Sequence, residues 1–187
     1  MNNLSVIKYF FEKKVIHYQV KRFEDNRGFF SETFNKKTFK ELGIKEDFVQ
    51  DNFSFSLKKN TIRGLHFQKP PMEQSKIVFV VKGSILDVIV DLRKNSKTYG
   101  KYIHIVLSDK NFQQVYIPSG FAHGFCTIED DTSVIYKTSN FYSPENEETI
   151  LWSDKDLSID WKIEGKEAIL SNKDRSANTF NNFSSPF

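Results

Sequence analysis

Cysteine is nearly absent from this chain, and a long apolar run is missing altogether. Cys126 is the only cysteine, so an internal disulfide is impossible, and its apolar neighbours favour a buried thiol over a nucleophile. No apolar run approaches the length of a membrane span. Charged residues such as Lys8 and Lys14 interrupt the N-terminal segment, which therefore lacks a signal-peptide pattern. A cytoplasmic protein without a membrane partner is expected.

An excess of one charge sign and the common catalytic signatures are also lacking. The 187 residues carry 27 Lys and Arg against 24 Asp and Glu, and the net charge of +3 is spread along the chain. Because nucleic-acid binding needs a clustered basic face, no nucleic-acid partner is expected, whereas a small anionic ligand is compatible with this balance. The chain has no Gly-x-Gly-x-x-Gly, phosphate loop or Gly-x-Ser-x-Gly motif, which excludes those enzyme templates.

Aromatic residues are abundant instead, with 19 Phe, 7 Tyr and 2 Trp, and this excess favours strands. Strands are predicted over residues 15–20, 29–34, 62–67, 77–81, 85–92, 102–107, 112–117, 121–128 and 133–138. Spacings of about ten residues are typical of a sandwich or barrel. The turn centred on Gly83 predicts a hairpin between two of these strands. One short helix is predicted over residues 36–42, capped by Asn35 and ended by Gly43.

The expected fold class is therefore all-β, with a single domain over residues 1–187 and a core over about 15–175. An antiparallel β-barrel or jelly roll with one short helix and an irregular C-terminal segment fits this pattern. Trp161 and residues 168–170 are expected to pack onto the domain. Residues 176–187 are rich in Asn and Ser and are predicted to be a mobile tail.

The segment Arg63-Gly64-Leu65-His66 places an imidazole close to a guanidinium. His66 has the side chain best suited to accept a proton at neutral pH, although a single strand histidine is more often structural. Strand alternation would put Arg63 and His66 on opposite faces, unless Gly64 allows a backbone irregularity.

His123, bracketed by Gly120 and Gly124, is a second candidate, and a packed histidine among aromatics is the plain alternative. A tyrosine such as Tyr136 in a strand is more commonly a core aromatic, and Lys76 could be a solvated residue at a strand start. A metal site is disfavoured because closely spaced His-x-His with a following Glu is missing and the other histidines are isolated.

Taken in order, many segments resemble the dTDP-4-dehydrorhamnose 3,5-epimerase family, a cupin-type family. The matching segments are Asp25-Asn26-Arg27-Gly28-Phe29-Phe30-Ser31-Glu32, Gln50-Asp51-Asn52-Phe53-Ser54, Ile62-Arg63-Gly64-Leu65-His66-Phe67-Gln68, Gln74-Ser75-Lys76, Val90-Asp91-Leu92-Arg93, Ile117-Pro118-Ser119-Gly120-Phe121-Ala122-His123-Gly124-Phe125, Tyr136-Lys137, Tyr142-Ser143-Pro144-Glu145, Ile159-Asp160-Trp161 and Leu170-Ser171-Asn172-Lys173-Asp174. The resemblance covers about residues 15–175. It implies a cupin-type jelly-roll enzyme that uses no metal and no cofactor, usually as a homodimer.

The resemblance also implies an activity, the inversion of C3 and C5 of dTDP-4-dehydro-6-deoxy-D-glucose to give dTDP-4-dehydro-L-rhamnose. Both carbons flank the C4 ketone, which acidifies their protons. On this reading His66 is the general base, Tyr136 the general acid on the opposite face, and Asp174 the partner that fixes the tautomer of His66. Lys76 stabilises the enolate oxygen.

The same resemblance implies a set of residues that bind the sugar nucleotide, with Arg63 suited to the diphosphate. They are Arg27, Phe30, Glu32, Gln50, Asn52, Arg63, Lys76, His123, Glu147 and Lys173. Phe53 and Phe55 depart from the family, which more often has polar or basic residues there. Glu147-Glu148-Thr149 lacks a glycine that is common at that place, and the segment before Val15 matches poorly.

Three hypotheses follow from the sequence. The first is this 3,5-epimerase, acting in sugar-nucleotide biosynthesis. The second is a relative that epimerises only C3 or acts on another 4-keto sugar, since the same base and acid serve both outcomes. The third is a cupin that binds a sugar nucleotide without chemistry, which requires that His66 and Tyr136 do not converge.

Overall fold

The structure is a computed structural model that describes residues 3–163 and 167–187, and most of its regular structure is antiparallel strand. The strands are β1 (Leu4–Phe10), β2 (Val15–Val20), β3 (Phe23–Asp25), β4 (Gly28–Phe30), β5 (Gln50–Ser56), β6 (Ile62–Gln68), β7 (Lys76–Lys82), β8 (Ser84–Asp91), β9 (Tyr102–Ser108), β10 (Gln113–Ile117), β11 (Phe121–Thr127), β12 (Thr132–Thr138) and β13 (Glu147–Thr149). The helices are α1 (Lys36–Glu41) and α2 (Asn172–Arg175). The predicted all-β jelly-roll class is confirmed.

Two large sheets face each other across the main core. The first has the order β1-β2-β10-β7-β12-β5 and the second the order β13-β6-β11-β8-β9. Because alternate residues of a strand point to opposite faces, each sheet sends one set of apolar side chains inward. Val78 and Val134 of the first sheet thus pack with Ile89 and Phe125 of the second. The cavity described below lies between these sheets.

The outer face of the first sheet is covered by α1 and the loop that follows it. Phe39 and Ile44 pack there against Tyr18, Ile77 and Tyr116. The side chain of Asn35 accepts hydrogen bonds from the backbone amides of Lys37 and Thr38, as an N-cap does. The prediction of this helix and of its cap is confirmed.

The outer face of the second sheet is covered by the C-terminal part of the chain. Trp161 is buried there, and Ala168 and Leu170 pack against the same cluster, as predicted. Residues 176–187 depart from the prediction of a mobile tail, because Phe183 and Phe187 pack on this face too. The Asn and Ser content suggested a polar segment, but the phenylalanines between these residues supply the apolar contacts.

Two further predictions need correction, and one strand was missed. No hairpin joins β7 to β8, because the turn at Gly83 carries the chain from the first sheet into the second. Both strands are apolar runs flanked by other strands, so the sequence does not reveal which neighbour each one pairs with. The strand expected over 29–34 is shorter, since β4 ends at Phe30 and forms a small hairpin with β3. The N-terminal strand β1, which pairs with β2, was not predicted.

A glycine contact joins β6 and β11, the strands that carry His66 and His123. Gly64 of β6 has a φ of +121°, and a Cβ built there would lie 2.5 Å from the Cα of Gly124 on β11. Opposite this point the β6–β11 register shifts between His123 and Phe125. The contact leaves no room for a side chain at either glycine, so the irregular register depends on both.

Gly64→Ala is therefore expected to lower the free energy of unfolding by roughly 2–4 kcal/mol, from the positive φ and the clash together. Urea denaturation measures this loss. Gly43→Ala is the matched control, since Gly43 also has a positive φ but open space around its Cβ position. Equal losses of stability in the two variants would contradict the role assigned to the glycine contact.

Candidate active site

A cavity of about 500 Å³ opens between the two sheets and collects most of the predicted site residues. Its polar lining includes Gln50, Asn52, Arg63, His66, Lys76, His123, Tyr136, Glu147, Lys173 and Asp174. Residues from β5, β7 and β12 form one wall, and residues from β6, β11, β13 and α2 form the other. Histidine, tyrosine and lysine thus converge from segments far apart in the chain.

Arg63 and His66 both line this cavity, although they lie three residues apart on one strand. The register shift at Gly64 accounts for this, because one extra residue in a strand reverses the faces that follow it. His66 then lies opposite His123 in the β6–β11 pairing. The predicted backbone irregularity is confirmed.

His66 is hydrogen-bonded to a buried carboxylate. Its Nε2 lies 2.7 Å from Oδ1 of Asp174, while Oδ2 of Asp174 accepts a hydrogen bond of 2.8 Å from the hydroxyl of Ser171. Burial alone would raise the pKa of Asp174, but the hydrogen bonds from His66 and Ser171 outweigh burial and lower it. Asp174 is therefore ionised at neutral pH and fixes the orientation of the imidazole.

Lys76 is buried at the start of β7, not solvated. Its Nζ donates a hydrogen bond of 3.3 Å to the backbone carbonyl of His66. Burial lowers the pKa of Lys76 to about 8, although the carboxylates of Glu147 and Asp87 act in the opposite direction. A cation with few protein partners in a partly enclosed cavity can stabilise negative charge that develops on a ligand.

Tyr136 faces the cavity from β12, where it pairs in register with Asn52 and Val78. Burial raises the pKa of Tyr136, and the nearby charge of Arg63 opposes this shift without cancelling it. The phenol is therefore protonated at neutral pH. It lies on the wall opposite His66, because β12 and β6 belong to different sheets.

His123 lies on β11 beside this pair and has a partner of its own. Its Nε2 is 2.7 Å from Oδ2 of Asp87, a fully buried carboxylate on β8. The plain reading of His123 as a histidine packed among aromatics is incomplete, since His123 is also hydrogen-bonded and lines the cavity.

Glu147 contacts two other residues that line the cavity. Its carboxylate accepts a hydrogen bond of 2.7 Å from the Tyr142 hydroxyl and pairs with the ammonium of Lys173. Burial would raise the pKa of Glu147, but the hydrogen bonds from Lys173 and Tyr142 outweigh burial and lower it. The backbone amide of Tyr142 in turn donates to Oε1 of Gln50 at 3.0 Å.

Sequence reasoning missed several residues that line the cavity, among them Tyr142, Gln74 and Ser171. All three belong to segments that resemble the family. That resemblance was a signal in the sequence that could have placed them in the site. The spacing alone did not indicate which members of each segment point inward.

Three predicted ligands do not line this cavity. Arg27 and Phe30 lie on the β3–β4 hairpin, where Phe30 is 70% exposed and Arg27 pairs with Asp25. Glu32 follows the hairpin and lines a separate small cleft beside Asn35. Within one chain, these residues and the ten that line the cavity form no common site.

Two kinds of feature are absent from residues 3–163 and 167–187. No group of three or more His, Cys, Asp or Glu side chains there is arranged to hold a metal ion. No helix in these ranges is both long enough and apolar enough to cross a membrane.

The fold and the site together define a jelly-roll protein with a histidine and a tyrosine on facing walls of one polar cavity. A family model described as dTDP-4-dehydrorhamnose 3,5-epimerase matches residues 13–182. The epimerase of Shigella flexneri is 48% identical over 167 residues, which cover 89% of this chain and 91% of that protein. The chain belongs to the dTDP-4-dehydrorhamnose 3,5-epimerase family, which confirms the resemblance found in the sequence.

Solved structures of the same family agree with the fold. The epimerase of Bacillus anthracis, with TDP and PPi bound, has a TM-score of 0.91 and 45% identity, and the match covers 94% of this chain and 99% of that one. An epimerase from Legionella pneumophila, in complex with dTDP-4-keto-L-rhamnose, has a TM-score of 0.91 and 40% identity over 97% of this chain and 95% of that one.

Replacement of the buried lysine separates stability from activity. Lys76→Met should raise the free energy of unfolding at pH 7 by about 1–3 kcal/mol, because a charge that is costly to bury is removed. Turnover should fall at least about 100-fold. Since the pKa of Lys76 is lower in the folded state, the wild type recovers stability as the pH rises above about 8, so the gain should shrink there.

Urea denaturation at several pH values and initial rates provide these numbers. Lys82→Met is the control, because Lys82 is exposed at the other end of the same strand and should change neither property. A Lys76→Met variant that keeps its activity would contradict an electrostatic role for this ammonium.

Proposed function

We propose that this protein inverts C3 and C5 of dTDP-4-dehydro-6-deoxy-D-glucose, giving dTDP-4-dehydro-L-rhamnose. One observation carries the proposal, namely that His66 and Tyr136 line one cavity from facing sheets. Inversion requires a base on one face of a carbon and an acid on the other. A module that binds the sugar nucleotide without chemistry does not need this arrangement.

In the proposed reaction the C4 ketone acidifies the protons on C3 and C5. His66 removes a proton, and the electron pair moves into an enolate whose oxygen lies near the Lys76 ammonium. Tyr136 returns a proton from the opposite face, which inverts the carbon. Asp174 holds the imidazole in one tautomer, because its carboxylate accepts the hydrogen bond from Nε2 and leaves the other ring nitrogen for the substrate.

Binding of the nucleotide sugar is assigned to the other polar groups of the cavity. The guanidinium of Arg63 is held in place, since it donates to the carbonyl of Phe55 at 2.9 Å and to the hydroxyl of Ser56 at 3.2 Å. A guanidinium oriented in this way suits a diphosphate. Gln50, Asn52, His123, Glu147 and Lys173 supply further donors and acceptors around it.

We also propose a homodimer, because two exposed apolar surfaces lie on one chain. Phe53, Ile135 and Phe79 are register neighbours across β5, β12 and β7, and Phe53, which also lines the cavity, is 65% exposed on the edge strand β5. Phe29 and Phe30 are exposed on the β3–β4 hairpin. Apolar surface of this kind favours association.

The dimer would also explain the position of three predicted ligands. A hairpin seated at the mouth of the partner subunit's cavity would bring Arg27, Phe30 and Glu32 to a substrate bound there. A cytoplasmic location and a role in supplying dTDP-rhamnose for polysaccharide biosynthesis complete the proposal, and both rest on the family and the sequence.

Solvent deuterium tests the proposed chemistry. In deuterium oxide, the wild-type protein should introduce deuterium at both C3 and C5, as read by NMR of the product. His66→Ala should lower this exchange by about 10²–10⁴-fold, the usual contribution of a general base. His104→Ala is the control, because His104 is exposed on β9 outside the cavity.

Each outcome of the exchange experiment has a distinct meaning. Deuterium at C3 but never at C5 would identify an enzyme that epimerises only C3. Unchanged exchange in His66→Ala would contradict the assigned base.

Mixed dimers test the proposed role of the hairpin. Subunits carrying His66→Ala have an inactive cavity but an intact hairpin, whereas subunits carrying Arg27→Ala have the reverse. If Arg27 serves the partner's cavity, mixing and refolding the two should restore activity to about a quarter of the wild-type level, because about half of the dimers are mixed and each has one intact site. If Arg27 acts on its own chain, mixing restores nothing.

A further inference from the structure

The C-terminal residues 176–187 directly follow α2, which carries Asp174, and pack against β6, which carries His66. His66 lies on β6, whereas Asp174 lies on α2, a helix of only four residues. A helix this short is not stable by itself, so its position depends on contacts outside it. The hydrogen bond of 2.7 Å between the two side chains therefore needs an external support.

One support holds the chain just after α2. Asn178 bridges to Ile150, and its carbonyl accepts the amide of Leu151 at 2.8 Å. Two residues later the amide of Phe180 donates to Oδ2 of Asp154 at 2.8 Å.

Asp154 is well placed to act as this anchor. It is buried, and its other carboxylate oxygen accepts the amides of Asp156 and Leu157. A charged acceptor that takes three backbone amides is a strong anchor in a buried setting. Asp154 thus fixes the chain six residues beyond Asp174.

A second support lies behind β6. The ring of Phe183 packs 5.2 Å from that of Phe67, and the ring of Phe187 packs 6.0 Å from it, measured between centroids. Phe67 is buried and directly follows His66 in the strand. The end of the segment is fixed as well, because the hydroxyl of Ser185 donates to the carbonyl of Leu92.

We propose that Phe183 and Asp154 are positioning residues, which hold His66 and Asp174 in hydrogen-bonded contact through residues 176–187. Neither side chain lines the cavity, so neither touches the substrate. The inference rests on the roles proposed above for His66 and Asp174. A misplacement of about 1 Å in such a pair can reduce turnover by up to about 100-fold.

Substitutions on both supports test this inference. Phe183→Ala and Asp154→Asn should each lower kcat by roughly 10- to 100-fold, with a smaller change in KM, because Lys173 is the one assigned binding residue on α2, whereas Arg63, Gln50 and Asn52 lie outside α2 and residues 176–187. Phe183→Leu, which keeps most of the apolar contact, should recover most of kcat. Asp154→Asn keeps the size of the side chain, so it remains informative even if Phe183→Ala does not fold.

A double-mutant cycle distinguishes positioning from general damage. In an Asp174→Asn background, Asp154→Asn should lower kcat by no more than about twofold, because the contact it supports is already lost. Phe34→Ala is the matched control, since Phe34 is a partly buried phenylalanine that packs on the other sheet. It should lower the melting temperature and leave kcat unchanged.

Two results would overturn the inference in distinguishable ways. If Asp174→Asn lowers kcat but Phe183→Ala and Asp154→Asn do not, or if their effects multiply with that of Asp174→Asn, the positioning role is wrong while the proposed function stands. If Asp174→Asn itself leaves kcat unchanged, the role proposed for the carboxylate fails and the inference fails with it.

Discussion

The backbone contact between Gly64 and Gly124 is the constraint on which the site depends. Two strands approach there more closely than any side chain would allow, and the register of β6 against β11 shifts at that point. Without the shift, Arg63 and His66 would alternate between the two faces of the sheet. With it, one strand directs a guanidinium and an imidazole into the same cavity.

The cavity also concentrates charge that a core would normally exclude. Lys76, Asp87 and Asp174 are buried, and each relies on a small number of polar partners. Buried charges of this kind cost folding free energy unless they are well paired. The apolar core between the sheets offsets this cost, since Val78, Ile89 and Phe125 are fully packed beside the site. A buried ammonium such as that of Lys76 can stabilise negative charge that develops on a ligand.

Local sequence patterns predicted the positions of strands and helices better than they predicted which strands pair with each other. The helix capped by Asn35 follows from a capping residue and a terminal glycine, both of which act within a few residues. The pairing of β7 and β8 was predicted wrongly, because two apolar strands joined by a tight turn look alike whether they form a hairpin or enter different sheets. Residues 176–187 seemed too polar to pack, yet a few phenylalanines suffice to cover the second sheet.

The sequence by itself determined the all-β class, the family and the candidates for base, acid and cation, because ordered motifs and strand-like runs are local properties. Only the tertiary structure decided which candidates meet. His66 and Asp174 lie 108 residues apart and are joined by one hydrogen bond, whereas Arg27 lies closer in sequence to His66 and is absent from the cavity. Side-chain convergence depends on sheet order and register, which arise from contacts between distant strands, and the irregularity at Gly64 was the one part of them that the local sequence indicated.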